Sequence, residues 1–121
     1  EQLVRQLGPF VIKGFRYDAA TIAADLARWD ALDEVDAMLI DGSAGGEGTA
    51  FDWRALAPLL EPIATPIILA GGLTPQNVGE AIRAVRPWAV DVSSGVEREP
   101  GVKDPALIEA FCEAVREADR G

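Results

Sequence analysis

Four times along this chain a short apolar run gives way to a stretch with helical periodicity, and that alternation limits the fold more than any other feature. Residues 10–15, 35–40, 66–70 and 88–92 read as strands. Between them, Ile22, Leu26 and Trp29 recur at helical spacing in an alanine-rich run, and Leu56, Leu59 and Leu60 share one side of a short helix. Pro58 fits that helix only in its first turn. Val78, Ala81, Ile82 and Val85 then fall at i, i+3, i+4 and i+7. Asp104-Pro105 caps a final helix whose Leu107, Ile108, Phe111, Cys112 and Val115 form an apolar stripe. Residues 1–7 look like the tail of a helix, set off by Gly8-Pro9. Strands separated by helices at this spacing imply right-handed parallel βαβ units, so the fold class is α/β.

Four such units alone leave a problem. With helices on one side only, a four-stranded parallel sheet has an uncovered face and two open edges, which is costly. The chain is therefore expected to be the C-terminal half of a single (β/α)8 TIM barrel domain, with residues 1–121 supplying roughly the last four βα units. The N-terminal half of the barrel is then a missing partner. A small doubly wound sheet is the alternative, although nothing in the pattern puts helices on both faces.

Two strand ends carry the chemistry. Ile67-Ile68-Leu69-Ala70 runs into Gly71-Gly72-Leu73-Thr74-Pro75, and the fourth strand ends in Asp91-Val92-Ser93-Ser94-Gly95. Thr74 and Pro75 read as the N-cap and first position of a helix. Glycine, lacking Cβ, lets the main chain approach an anion closely, and strand-to-helix turns present N–H groups to it. Gly71, Gly72, Ser93, Ser94 and Gly95 are thus candidate phosphate contacts, with simple tight-turn geometry as the other reading. Asp41 closes the second strand at the C-terminal end, where barrel active sites are built. Its alternative role is that of a turn aspartate.

Composition narrows the partners. At 121 residues, 49% hydrophobic and 26% charged, the chain has the size of one soluble domain and no disordered bias. A formal charge of −9 argues against nucleic acid and anionic membrane surfaces, yet leaves room for a small phosphorylated substrate held by backbone dipoles. The chain has no histidine and one cysteine, so neither metal nor histidine chemistry nor an internal disulfide is expected. No apolar run reaches membrane-spanning length and no signal pattern opens the chain, which makes a cytoplasmic setting the expectation.

Leu39-Ile40-Asp41, Gly45-Gly46-Glu47-Gly48-Thr49-Ala50-Phe51-Asp52-Trp53, Leu69 through Val78, and Val90-Asp91-Val92-Ser93-Ser94-Gly95-Val96-Glu97, with Gly101 and Lys103-Asp104, closely resemble phosphoribosylanthranilate isomerases of tryptophan biosynthesis. The ordered combination is specific, although each piece alone is weak. The resemblance implies an eight-stranded barrel that converts N-(5-phosphoribosyl)anthranilate to 1-(2-carboxyphenylamino)-1-deoxyribulose 5-phosphate without a cofactor. By the same resemblance Asp41 is the general acid, which calls for a protonated carboxyl of the kind burial favours. The glycine loops hold the phosphate, and Asp91 orients the site or meets the anthranilate end, unless it only bonds loop amides.

The chain also departs from the family. Glu47, Thr49 and Ala50 stand where threonine, lysine and threonine are common, so a substrate contact is expected to be lost. The family's general base is a cysteine on the first barrel strand, which these residues do not include. Cys112 is expected on the buried face of the last helix and so cannot replace it. Another phosphosugar barrel enzyme and a noncatalytic phosphate-binding half barrel that pairs with itself remain as further readings.

Overall fold

A computed structural model describes residues 10–42 and 52–120. Its elements are β1 (Ile12–Arg16), α1 (Ile22–Asp30), β2 (Ala37–Asp41), α2 (Trp53–Leu60), β3 (Ile67–Ala70), α3 (Val78–Val85) and β4 (Ala89–Asp91). A 3-10 turn (Ser94–Val96), a small antiparallel pair β5 (Glu97–Glu99) and β6 (Val102–Lys103), and α4 (Pro105–Arg120) complete the order. The expected helix at 1–7 and the substituted positions Glu47, Thr49 and Ala50 lie outside the described residues.

The four long strands form one parallel sheet in chain order, β1-β2-β3-β4. Sequential order with crossovers of one hand puts all helices on one face, which removes the doubly wound alternative, whose order reverses at a switch point. Side-chain alternation confirms the layering. Met38, Ile40, Ile67 and Leu69 join Leu26, Leu56, Val78, Ile82 and Phe111 in one core, whereas Leu39 and Ile68 do not. Met38, Ile40, Leu56 and Leu69 are fully buried, each contributing about 1.5–3 kcal/mol.

On the opposite face the parallel register lines up two rows. Gly14, Leu39, Ile68 and Ala89 form one, and Arg16, Asp41, Ala70 and Asp91 form the other, at the C-terminal ends of the strands. The sheet curls around this face. Phe10, just before β1, stacks on Trp88, just before β4, with ring centroids 6.3 Å apart and planes at 26°. Side chains at the entrances of the two outermost strands therefore meet.

The helices follow local chemistry. All four residues of the α3 stripe, Val78, Ala81, Ile82 and Val85, are buried as the spacing predicts. Asp104 Oδ1 accepts from Ala106 N at 2.9 Å and its carbonyl accepts from Ile108 N, so the expected cap of α4 is present. Asp30, at the end of α1, ties down the entrance to β3. Its Oδ1 accepts from Thr65 Oγ1 at 2.7 Å, Thr65 N at 2.9 Å and Ala64 N at 3.1 Å. These bonds, the Thr65 hydroxyl foremost, hold its carboxyl below the usual aspartate value.

Three local expectations change. Pro58 lies in the interior of α2, because Asp52 caps the helix earlier, with Oδ1 accepting from Arg54 N at 3.0 Å. The hydrogen bond that Pro58 cannot make sits on an exposed side of a two-turn helix. Cys112 is exposed, as is Ile108, because α4 turns Leu107, Phe111, Ala114 and Ala118 toward the core instead. Thr74 does cap, but the regular helix starts only at Val78. Thr74 N donates to Asn77 Oδ1 at 2.7 Å and Asn77 N donates to Thr74 Oγ1 at 3.2 Å, a reciprocal box around Pro75. Among the described residues no helix is long and apolar enough to cross a membrane.

Candidate functional site

Parallel strands deliver their C-terminal ends to one rim, and the loop leaving each strand decides what the rim can bind. Here the ends of β2, β3 and β4 enclose a cavity of about 250 Å³. Asp41, Gly71, Gly72, Asp91, Ser93, Ser94 and Gly95, the residues singled out from the sequence, all line it, with Leu39 and Leu73 as apolar floor. Residues far apart in the chain thus share one wall because the sheet is parallel and in register.

The β3 loop turns through two left-handed residues, Gly71 at φ 85° and Gly72 at φ 72°. A side chain at either would meet the following carbonyl, so glycine is required there. Asn77 Nδ2 donates to Gly72 O at 2.8 Å and holds the turn from the helix side. In the β4 loop the requirement is different. A Cβ on Gly95 would lie on the Leu73 carbonyl oxygen, so the two loops touch main chain to main chain. Among the described residues no acceptor takes up the N–H groups of Gly72, Ser94 or Gly95. Two abutting turns thus present unspent main-chain N–H donors, the kind of group that can bind an anion.

The acid groups flank these turns. Asp41 is half-buried at the end of β2, and Asp91 is exposed at the end of β4. With Ala70 between them in register, and strands about 4.8 Å apart, their Cα atoms stand roughly 10 Å apart. No group of three or more carboxylate, thiol or imidazole side chains is placed to hold a metal among the described residues.

Two residues near the site carried no assigned role in the sequence. Arg16, beside Asp41 in register, brings a positive side chain to the inner rows. Lys103 Nζ donates to Ser93 O at 3.0 Å and to Glu97 Oε2 at 2.7 Å. The signal for the second was present in the Pro100-Gly101 turn between a glutamate and a lysine, which brings opposite charges face to face on a short hairpin.

A family model described as N-(5'-phosphoribosyl)anthranilate (PRA) isomerase matches residues 4–114. The curated N-(5'-phosphoribosyl)anthranilate isomerase of Methanoregula boonei is 48% identical over 114 residues, covering 93% of this chain and 57% of that protein. The crystal structure of the phosphoribosyl anthranilate isomerase of Thermotoga maritima superposes with a TM-score of 0.73 at 36% identity, over 96% of this chain and 57% of that one. A further isomerase structure, solved in complex with reduced 1-(o-carboxyphenylamino)-1-deoxyribulose 5-phosphate, superposes with a TM-score of 0.70 at 35% identity, over 96% of this chain and 54% of that one. The chain spans about half the length of the relatives it matches. With the family model matching its residues 4–114 and a curated relative 48% identical over 93% of its length, the chain belongs to the N-(5'-phosphoribosyl)anthranilate isomerase family.

Proposed function

We propose that this chain supplies the phosphate-binding and acid-bearing half of a (β/α)8 barrel that isomerises N-(5-phosphoribosyl)anthranilate to 1-(2-carboxyphenylamino)-1-deoxyribulose 5-phosphate, a step of tryptophan biosynthesis. The observation that carries this reading is the joint lining of one cavity by Asp41 and by both glycine turns. The turns hold the 5-phosphate through backbone N–H groups. Asp41, one to two strand spacings away, or roughly 5–10 Å, lies at the reach of the furanose ring oxygen of the same sugar.

The reaction is an Amadori rearrangement. Asp41 protonates the ring oxygen, the C1–O bond opens, and the anilino nitrogen lone pair forms the iminium. A base then removes the C2 proton, its electrons pass to the iminium as an enolamine, and tautomerisation yields the ketone. In this reading the base stands on the first strand of the barrel, outside this chain, and Asp91 orients the anthranilate end. No step calls for a cofactor. The setting is cytoplasmic, in keeping with a phosphorylated intermediate that does not cross membranes.

The two outer strands support the idea of a larger barrel. β1 and β4 are edges of the described sheet, and Phe10, Val11 and Ile12, leading into the first, are 61%, 42% and 47% exposed. Roughly four further βα units cover them and close the sheet. The open edges equally suit a second copy of the chain, which is the noncatalytic half-barrel reading. Sedimentation separates the two, since a discrete dimer that binds phosphate supports self-pairing. The decisive assay joins the chain to the N-terminal half of a family member and monitors substrate conversion. The joined protein is expected to turn over and the chain alone to be inactive. In the joined protein Asp41→Asn is expected to cut kcat by about 10²–10⁴-fold. Equal turnover by Asn would remove the acid role.

A further inference from the structure

Resting on the reading of the β4 loop as a phosphate contact, we propose that Lys103, steadied by Glu97, is a positioning residue that aims the Ser94 N–H into the anion cradle. The geometry is a short chain of bonds running from the hairpin to the loop. Gly101 turns through φ 80°, which brings its N–H to Glu97 Oε1 at 3.2 Å. The other oxygen of that carboxylate, Oε2, accepts from Lys103 Nζ at 2.7 Å, and the same Nζ donates to Ser93 O at 3.0 Å.

A trans peptide points its C=O and its N–H in opposite directions. Fixing the Ser93 oxygen on the hairpin side therefore sends the Ser94 N–H to the other side. Ser93, Ser94 and Gly95 line the cavity and Lys103 does not, so the lysine works from behind the loop. The Ser93 oxygen also accepts from Val96 N at 3.3 Å, so the ammonium and the 3-10 turn pull on one atom. On the β3 side Asn77 Nδ2 holds Gly72 O in the same manner. Both turns of the cradle thus have a carbonyl drawn out by a side chain from beyond the loop. Glu97 adds a second effect. Its side chain is only 15% exposed, and its carboxyl is held below the usual glutamate value, mainly by the Lys103 hydrogen bond and then by the Gly101 N–H. It is charged at neutral pH, and without the lysine that charge would stand uncompensated behind the β4 loop.

Titration of the chain with inorganic phosphate, monitored by amide chemical shifts, tests this. In the wild type the Gly72, Ser94 and Gly95 amides are expected to shift together. In K103M, affinity is expected to fall roughly tenfold, the Ser94 and Gly95 responses to shrink, and the Gly72 response to persist; K103R, which still donates to the carbonyl, restores most of the loss. A K103M protein that binds phosphate like the wild type overturns the proposal, even if it melts earlier, because a purely structural staple would do only that. Wild-type amides that ignore phosphate overturn the phosphate reading instead. The clamp is then judged by hydrogen exchange at Ser94, and an unchanged rate in K103M overturns it separately. Should K103M not fold, E97Q carries both comparisons, since it keeps the shape and removes the charge that steadies the lysine.

Discussion

Gly95 illustrates how a single residue can be required without being strained. The requirement is contact, because an added Cβ falls on the Leu73 carbonyl oxygen and within 3.2 Å of Thr74 Cα, both main-chain atoms that cannot step aside. Gly95→Ala is therefore expected to lower stability by about 1–3 kcal/mol in a denaturant melt and to weaken phosphate binding, since the two turns must part. Gly71 and Gly72 are required for the other reason, their positive φ. From sequence alone the three glycines look alike; only the folded backbone separates them. Asp41 and Asp91 were legible because each closes an apolar run, and a parallel sheet brings such ends to one rim. The Lys103–Glu97 pair could be read from the Pro100-Gly101 turn between them, but the lysine's bond to the Ser93 main-chain oxygen, ten residues away, could not, because the chain gives no sign of which way that oxygen points.

Elements with a strong apolar period were readable, as was the Asp104 cap of α4; the β5–β6 hairpin was not. The α3 stripe is narrow and every member is buried. The α4 stripe is wider than the face it offers, so Ile108 and Cys112 look outward while Leu107 and Phe111 look in. β5 and β6 carry Glu97, Arg98, Glu99 and Lys103, which lack the apolar alternation that marks a strand, and the Gly101 turn with the Glu97–Lys103 pair organises them instead. The junction between α1 and β3 rests on Asp30. Its carboxyl titrates lower in the folded chain than its ordinary value of 3.8, so its contribution is fully present above that value. The contribution is lost as pH falls through the folded value. Between pH 7 and pH 3 the wild type is expected to lose stability more steeply than Asp30→Asn. Parallel curves from chemical denaturation at each pH would show that the Thr65 bonds add nothing.

For the whole molecule, the decisive fact is that the described sheet has a packed outer face and a sparsely filled inner one. Helices cover Met38, Ile40 and Leu69 completely, while a Cβ added at Gly14, in the inner row, would meet nothing within 4 Å. The parallel α/β class and the one-sided helices were legible in the sequence, because a strict βα alternation admits few topologies. The curl was not, since curvature depends on strand twist and on side chains that meet only after folding. The Phe10–Trp88 stack is where that curl becomes visible, and it turns Trp88 into an optical gauge of the sheet. Trp53 is buried at 7% exposure, so among the three tryptophans it is insulated, whereas Trp88 is 63% exposed. Any partner that covers the two outer strands strips water from this indole and shifts its emission to shorter wavelength. Trp88→Phe is expected to abolish that shift while leaving the assembly intact, so one wavelength records whether the open side of the molecule has found its cover.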